Sequence, residues 1–282
     1  MNIVFIGAGS LATSLSLAMQ QAGHTVCQVY SRTTLSARTL AEQLGTAVGY
    51  TDDLRTLNPT ADLYVFAVVD GVIESLAADV VRTLSGAATR SPHFVHTACT
   101  QTLQVLTPLS AIGHIGVFYP FQAFSRQRVV DLTHTPFFIE GDSPDTQQFL
   151  HSLATQMTDK VYTATYEQRL LLHLAGVLSN NFTNCLFAIS DELLQQAGLP
   201  FDILLPALDE TVGKVHTLSP RQAQSGPAMR GDTVTIEKHL RLLDQLAAQQ
   251  PEMNHHSNRE LPSLQAVYRY FTHNIQSHKK QE

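Results

Sequence analysis

The chain has 282 residues, 44% of them hydrophobic and 15% charged, with a formal net charge of −6 at pH 7. This length and composition predict two globular domains, each with a core of its own. The negative charge and the absence of a dense lysine or arginine cluster exclude a surface that follows a nucleic-acid backbone.

The cysteines and the first residues indicate the cellular location. Cys27, Cys99 and Cys185 lie far apart, with neither a CxxC pair nor a metal-ligand spacing, so we expect free thiols and no bound metal. An apolar, strand-like run begins at Asn2 with no basic region before it, and charged residues interrupt the apolar window 62–81. We therefore expect a cytoplasmic protein that binds neither a membrane nor nucleic acid.

Short β-prone runs alternate with helical stretches in the first half of the chain. The helix predicted at residues 11–22 is closed by Gly23, a residue type common just after a helix end. This alternation predicts right-handed βαβ units and a doubly wound parallel sheet. The predicted strands are residues 3–6, 25–30, 63–68, 93–97, 113–118 and 137–140.

The second half of the chain has a helical period. From about Tyr166 apolar residues recur every three or four positions, which predicts one long helix that ends at Gly198. Two more helices are predicted around residues 236–246 and 264–275, joined by a loop at 251–260 in which His255 and His256 bind no metal. We therefore divide the chain into an α/β domain, 1–160, and an all-α C-terminal domain, 161–282.

The long helix also bears on the oligomeric state. A helix of roughly thirty residues is about 45 Å long, which exceeds the width of a small helical domain. Such a helix needs a further surface to cover it. We therefore predict a homodimer formed through the helical domain.

A glycine-rich turn follows the first strand directly and opens the first helix. Its sequence, Gly7-Ala8-Gly9-Ser10-Leu11-Ala12, has the spacing GxGxxA. In this context the spacing is typical of dinucleotide binding by a Rossmann fold. The first glycine permits a tight turn, the second lets a pyrophosphate approach the backbone, and the alanine lets the helix pack closely on the strand. The alternative is an ordinary strand-to-helix turn.

The residues after the second strand bear on the choice of cofactor. NAD enzymes usually place an acidic residue there, against the ribose 2′-hydroxyl, whereas this chain has Ser31 and Arg32. A hydroxyl and a guanidinium suit a 2′-phosphate, so we predict NADP(H). The alternative is that Arg32 is a solvated charge and Ser31 caps the next helix. Residues after the third strand are also expected to line the cofactor: Ala67, Val68 and Val69.

The residues after the fourth and fifth strands are candidates for chemistry, because ligands of open parallel sheets lie beyond the carboxyl ends of the strands. Reduction of C=O or C=N needs a proton donor, and His96 or Tyr119 could supply it. Gln122 is expected to contact the substrate. Nothing in the sequence lowers the pKa of Cys99, and Asp70 is expected only to cap a helix. The alternatives are that His96 bonds to backbone alone and that Tyr119 only packs.

Two polar segments in the second half carry further candidates. Ser179-Asn180-Asn181 lies within the long helix, where amides are unfavourable unless they meet a partner, so Asn181 is a candidate for orienting the substrate. Arg230 lies in a glycine-rich loop ahead of a helix that Asp232 is expected to cap, and it could bind a carboxylate or phosphate. The alternative for Asn181 is a hydrogen bond of its amide across a helix or dimer interface. The alternative for Arg230 is a salt bridge between domains.

These segments together resemble a known family, the Rossmann-like proteins with a C-terminal DUF2520 domain, which are related to pyrroline-5-carboxylate reductase and the F420-dependent NADP reductases. The resemblance implies an NADP-dependent oxidoreductase of unassigned substrate with a helical dimerisation domain. The segments that carry it are the Gly7–Ala12 turn, Tyr30-Ser31-Arg32, His96-Thr97, residues 119–124, Ser179-Asn180-Asn181, residues 226–232 and His239.

The chain departs from the family at the expected reaction centre. It has Tyr119-Pro120-Phe121-Gln122 where the family usually has His-Pro-Leu-Gln, and Ala98-Cys99-Thr100 where the family usually has Ser-Gly-Ala. Either the proton donor has moved to Tyr119, or the catalytic role has been altered or lost.

The leading hypothesis is an NADP(H)-dependent oxidoreductase acting on a small carbonyl, imine or hydroxy-acid substrate in the interdomain cleft. The 3-hydroxyisobutyrate-type dehydrogenases carry a lysine one turn before their helix asparagine, where this chain has Val177, and this favours a carbonyl or imine. The alternative is a non-catalytic NADP(H)-binding sensor or scaffold. The catalytic candidates are His96, Tyr119 and Asn181, and the substrate-binding candidates are Gln122 and Arg230.

Overall fold

The computed structural model describes residues 1–86, 91–125, 127–249 and 263–279. The predicted loop at 251–260, with His255 and His256, lies outside the described residues. Contacts between Cα atoms divide the chain into two compact units, Met1–Asn184 and Cys185–Glu282. This division differs from the predicted boundary after residue 160, because the last strand and the helix residues up to Asn184 belong to the first unit.

An eight-stranded sheet organises the first unit. Its strands are β1 Asn2–Ile6, β2 Thr25–Tyr30, β3 Gly49–Thr51, β4 Leu63–Phe66, β5 His93–His96, β6 His114–Pro120, β7 Phe137–Gly141 and β8 Val161–Thr163. The order is β3-β2-β1-β4-β5-β6-β7-β8, with the first six strands parallel and β7 antiparallel to β6. The strand order reverses between β1 and β4, which is where open parallel sheets bind ligands.

The helices cover the sheet and form the second unit. Those before residue 177 are α1 Ser10–Gln21, α2 Thr34–Leu44, α3 Ile73–Leu84, α4 Pro144–Ala154 and α5 Tyr166–Gly176. The later ones are α6 Phe182–Gln196, α7 Leu205–Lys214, α8 Pro227–Arg230, α9 Thr233–Gln249 and α10 Leu264–Lys279. Together with the sheet they confirm the predicted fold class, a doubly wound α/β domain followed by a helical one.

Both faces of the sheet are buried, as the alternation of side chains along a strand requires. Ile3 and Phe5 of β1 face the side covered by α1, α2 and α4, whereas Val4 and Ile6 face α3. All four side chains are fully buried. Helices on both faces make this sheet doubly wound and leave its carboxyl edge open for a ligand.

The predicted long helix is present and contains one irregularity. It runs from Tyr166 to Gln196, and a π-helical turn at Val177–Asn181 joins α5 to α6. Thr165 and Gln168 form a capping box at its start. Gly198 adopts φ +69° just after its end, a left-handed conformation that favours glycine. The π-helical turn contains Ser179-Asn180-Asn181, the segment whose amides are unfavourable in a regular α-helix.

The second unit buries little of its own apolar surface. Among the described residues after Asn184, Ala228 and Ile236 are the buried apolar side chains. Asp232 caps α9 as predicted, because its carboxylate accepts the N–H of Thr235 at 3.0 Å. No helix in the described ranges is long and apolar enough to cross a membrane.

Candidate functional site

The glycine-rich turn has the geometry that dinucleotide binding needs. Gly7 has φ +122°, and a Cβ there would lie 2.1 Å from the carbonyl oxygen of Ala67, so no other residue can replace it without a shift of backbone. A Cβ on Gly9 would meet nothing within 4 Å, which leaves the space above the turn open. Ala12 is fully buried and allows close helix packing. The turn therefore leaves room beside the backbone for a phosphate group.

The start of α1 has the features that favour an anion. The first turn of a helix carries N–H groups without intrahelical partners, and the helix dipole favours negative charge there. Gly9 occupies the N-cap position, and no side chain of the described residues caps it. The N–H groups after Gly9 are thus free to hold a pyrophosphate.

The segment after β2 leaves two side chains available for a ligand. Thr33, rather than Ser31, caps α2, because its hydroxyl accepts the N–H of Ser36. The alternative in which Ser31 caps that helix is therefore wrong. Arg32 is exposed and makes no hydrogen bond or ion pair with any described residue. A hydroxyl and a guanidinium therefore remain free in the segment after β2.

A cavity of about 380 Å³ lies at the carboxyl ends of β4, β5 and β6. Pockets of this size hold small molecules. Its wall begins at the glycine-rich turn, with Leu11, and reaches α5, with His173. Its lining residues are Leu11, Ala67, Val68, Asp70, Thr97, Ala98, Cys99, Thr100, Tyr119 and His173. Three predicted cofactor residues and the predicted proton donor Tyr119 thus share one cavity, while Val69 is exposed beside it.

Two of the lining residues form a hydrogen-bonded pair. The Tyr119 hydroxyl bonds to the Cys99 thiol, which donates to the carbonyl oxygen of Arg169 at 3.0 Å. Burial raises the pKa of Tyr119 far above its ordinary value, and the neighbouring Cys99 and Asp70 raise it further. Burial likewise raises the pKa of Cys99, so both groups keep their protons at neutral pH. Cys99 is therefore not an activated nucleophile.

Asp70 lines the cavity and does not cap a helix. Its carboxylate accepts the hydroxyl of Thr100, and the helical segment Asp70–Val72 lacks a side-chain cap. The expected capping role is wrong, because the carboxylate bonds to Thr100, from the loop after β5, and not to an N–H group at the start of the helix. Asp70 places its carboxyl group in the wall of the cavity.

His96 lies under the site and does not line the cavity. It is fully buried, the N–H of Ala98 donates to its Nδ1 at 3.2 Å, and its Nε2 is 3.2 Å from the carbonyl oxygen of Thr102. Burial, helped by the nearby Arg169 cation, lowers the pKa of His96 to about 4. A neutral imidazole bonded on both sides supports the alternative, a histidine bonded to backbone.

Arg169 anchors α5 to the sheet and was not found from the sequence. Its guanidinium is fully buried, pairs with Glu140 of β7, and donates to the carbonyl oxygens of Ala164 and Gln101, each at 3.0 Å. Its Nε has no partner among the described residues. Buried guanidinium groups need such partners, so this arginine ties the loop after β5 to α5.

His173 is the functional candidate that the sequence reasoning missed. It lies on α5, one turn after Arg169, and lines the cavity opposite β4 to β6. The signal in the sequence was a histidine within an otherwise apolar stretch, Leu170 to Leu174. That signal alone does not reveal which wall the imidazole faces.

The remaining predicted site residues do not line the cavity. Asn181 is exposed in the π-helical turn, and Gln122 is exposed with its Oε1 accepting the N–H of Ala123. Arg230 ends α8 in the second unit and is exposed. Within the part of the chain that the structure describes, no group of three His, Cys, Asp or Glu residues could hold a metal ion.

Two family models match the chain. The model described as NADP oxidoreductase coenzyme F420-dependent matches residues 2–116, and the model described as a domain of unknown function, DUF2520, matches residues 135–275. The first match contains the glycine-rich turn, Arg32 and the strands up to β5. A comparison with curated proteins gives no match.

Solved structures share the architecture of the whole chain. A candidate NADP oxidoreductase from Bacteroides fragilis is 40% identical, with a TM-score of 0.82 over 98% of both chains. A reductive aminase from Aspergillus terreus, in complex with NADPH and ethyl-5-oxohexanoate, is 18% identical, with a TM-score of 0.61 over 99% of this chain and 94% of that chain. A 1-pyrroline-5-carboxylate reductase from Streptococcus pyogenes is 13% identical, with a TM-score of 0.58 over 98% of each chain. The last two show a common fold.

These matches agree with the sequence motifs and with NADP(H) as the predicted cofactor. The DUF2520 model covers half of the chain, and the Bacteroides fragilis protein is similar over nearly all of it. The chain therefore belongs to the NADP oxidoreductase family whose members carry a C-terminal DUF2520 domain.

Proposed function

We propose that this protein is an NADP(H)-dependent oxidoreductase that reduces a C=O or C=N group of a small substrate. The observation that carries the proposal is the cavity itself, whose wall begins at the dinucleotide turn and ends among polar side chains. Asp70, Thr100, Tyr119 and His173 there could orient a substrate against the cofactor. Placement of this kind is a large part of enzymatic rate enhancement.

The residues that would hold the cofactor are those of the turn and of the strand ends. The free N–H groups after Gly9 would hold the pyrophosphate, Ser31 and Arg32 the 2′-phosphate, and Ala67 and Val68 the ribose of the nicotinamide half. When bound, the reduced nicotinamide supplies a hydride. The protein supplies orientation, exclusion of water and a proton.

The preference for the 2′-phosphate is tested with Arg32→Ser. Loss of charge-assisted hydrogen bonds worth about 1.5–3 kcal/mol should raise the Kd of NADPH by about 10- to 100-fold. The Kd of NADH should change by less than about twofold, measured by fluorescence titration. Arg38→Ser, which removes an exposed guanidinium from α2, serves as the matched control and should leave both values unchanged. An equal rise in the Kd of NADPH and of NADH would contradict the role of Arg32 in binding the 2′-phosphate.

The reductase activity is tested by following NADPH oxidation with a panel of small probes. Ethyl-5-oxohexanoate, 2-methyl-1-pyrroline and 1-pyrroline-5-carboxylate present a ketone, a neutral cyclic imine and an imine with a carboxylate. We expect oxidation with at least one of them. Tight NADPH binding with no oxidation on any probe favours the alternative function, a non-catalytic NADP(H)-binding sensor or scaffold. The observation that favours this alternative is the Tyr119–Cys99 pair, which holds its protons firmly at the reaction centre.

Substrate contacts outside the described cavity stay predictions. Gln122 and Asn181 are exposed amides, and Arg230 is an exposed guanidinium in the second unit. We propose that the π-helical turn presents Asn181 to the substrate, since such turns recur at functional sites, and that Arg230 binds an acidic group. A cytoplasmic location, proposed from the free thiols, would supply NADPH as the reductant.

We also propose a homodimer in which a second copy covers the long helix. Leu170, Leu174, Leu178 and Phe182 recur every four residues, and each is exposed by 42% or more. An apolar stripe of this length on a helix surface needs a partner surface. The double variant Leu174→Glu, Leu178→Glu should turn a dimer into a monomer in light-scattering measurements. Leu35→Glu, at an exposed leucine of α2, is the control and should stay dimeric. A monomeric unmodified protein would overturn the proposal.

A further inference from the structure

The cavity contains few groups that could give a proton to a substrate. Its titratable lining residues are Asp70, Cys99, Tyr119 and His173. The hydroxyl groups of Thr97 and Thr100 are too weakly acidic to serve. His96, the histidine expected from the sequence, is fully buried beneath the cavity with both ring nitrogens engaged.

Three of the four titratable groups are unsuited to this task. Tyr119 and Cys99 bond to each other, and burial raises the pKa of both, which makes each a weaker acid than usual. The Asp70 carboxylate already accepts a hydrogen bond from the hydroxyl of Thr100, so it is engaged within the cavity wall. General acids work best when their pKa lies near the operating pH.

His173 differs from these groups because its side chain has no hydrogen-bond partner among the described residues. Its imidazole is half-buried in the cavity wall and makes no hydrogen bond or ion pair with any residue that the structure describes. Imidazole is the side chain whose protonation most readily changes near neutral pH. A ring nitrogen of His173 is therefore available for a ligand in the cavity.

The backbone that carries His173 is fixed on three sides. Arg169, one turn earlier, is anchored to Glu140 and to two carbonyl oxygens. Leu172 packs against the cluster formed by Cys99, Val117 and Tyr119. A Cβ on Gly176 would lie 2.9 Å from the ring of Phe121. A general acid needs such support, because a displacement of about 1 Å can cost 100-fold in rate.

We propose that His173 is the general acid of the reductase, an inference that rests on the proposed function. As the carbon of the C=O or C=N group receives the hydride, its π bond breaks towards the heteroatom. A protonated ring nitrogen of His173 gives its proton to that oxygen or nitrogen, and the product is an alcohol or an amine. The neutral imidazole then takes up one proton from the bulk solution, which is the proton that the reduction consumes. Tyr119 helps to orient the substrate, and both Tyr119 and Cys99 keep their own protons.

The test compares His173→Gln with Tyr119→Phe on whichever probe the unmodified protein reduces fastest. We expect His173→Gln to lower kcat by about 100- to 10,000-fold and to leave the Kd of NADPH within about twofold. Tyr119→Phe should lower kcat by about tenfold or less. His151→Gln, at an exposed histidine of α4, is the control and should be unchanged. A greater loss for Tyr119→Phe than for His173→Gln would overturn the proposal.

The pH profile and chemical rescue measure properties that would not change in this way if His173 had only a structural role. In unmodified protein the kcat profile should have a limb that falls as pH rises. His173 shares the cavity with Asp70, Cys99 and Tyr119 and its helix with Arg169. This limb should vanish in His173→Gln. Added imidazole should restore activity to His173→Ala, and failure of rescue in a folded variant that binds NADPH would contradict the proposal.

If unmodified protein binds NADPH yet reduces no probe, the proposed function fails and this inference fails with it. If it reduces a probe and His173→Gln does so equally well, only the inference fails.

Discussion

The two compact units differ in how each one buries its apolar side chains. The first unit buries both faces of its sheet, with side chains such as Phe5, Phe66 and Phe94 fully inaccessible to water. The described residues of the second unit bury only Ala228 and Ile236 among their apolar side chains. Because hydrophobic burial is the main favourable term in folding, the described part of the first unit has the larger source of stability within itself.

The difference is tested most strongly by removing one large side chain from each unit. Phe94 is fully buried and stacks on Tyr64 at 5.0 Å between ring centroids, so Phe94→Ala should lower the free energy of unfolding by about 3–5 kcal/mol. Leu242 of α9 is 52% exposed, and Leu242→Ala should change it by at most about 0.5 kcal/mol. Urea denaturation followed by circular dichroism measures both values. A large loss for Leu242→Ala would show that another surface already covers the second unit.

The buried ion pair of the first unit gives a somewhat smaller effect. Glu140→Leu leaves the guanidinium of Arg169 charged in an interior site, which should cost about 3 kcal/mol of unfolding free energy. Arg169→Met should cost less, because the carboxylate left behind is 31% exposed and can be hydrated. The double variant should be more stable than Glu140→Leu alone. A double variant less stable than Glu140→Leu would mean that Arg169 is not left as an uncompensated buried charge when Glu140 is removed.

The smallest of the three effects is a pH dependence of stability. The pKa of His96 is about 4 in the folded protein and about 6.5 in an unfolded chain. Between these values the unfolded chain binds a proton and the folded protein does not, so stability is fully present above pH 6.5 and is lost as pH falls towards 4. From pH 7 to pH 5 the unmodified protein should lose about 2 kcal/mol more than His96→Gln. Equal losses in urea denaturation would mean that His96 is protonated when folded.

Much of the fold could be predicted from periodicity, and the failures have a common cause. The six predicted strands are present within two residues of their predicted ends, and the long helix begins at Tyr166 as expected. β3 and β8 were missed because each has three residues, most of them exposed, and so lacks a run of alternating apolar side chains. Their pairing is set by neighbouring strands, which no local pattern records.

The site divides in the same way between local and long-range information. The roles of the Gly7 turn and of Arg32 could be predicted from a few consecutive residues each, and these cofactor contacts stay predictions. His173 and Asp70 were missed as cavity residues because α5, the loop after β4 and the loop after β5 meet only in the folded chain. His96 was expected at the surface of the site, but the packing of β5 between β4 and β6 buries it.

The segment Ser31-Arg32-Thr33 divides its tasks between adjacent residues. Thr33 alone caps α2, so neither Ser31 nor Arg32 is needed for the stability of that helix. Selection for another dinucleotide could therefore replace these two residues without a loss of folding energy that would first have to be compensated. The proposed contacts to a 2′-phosphate can therefore change without a cost to the capping of α2.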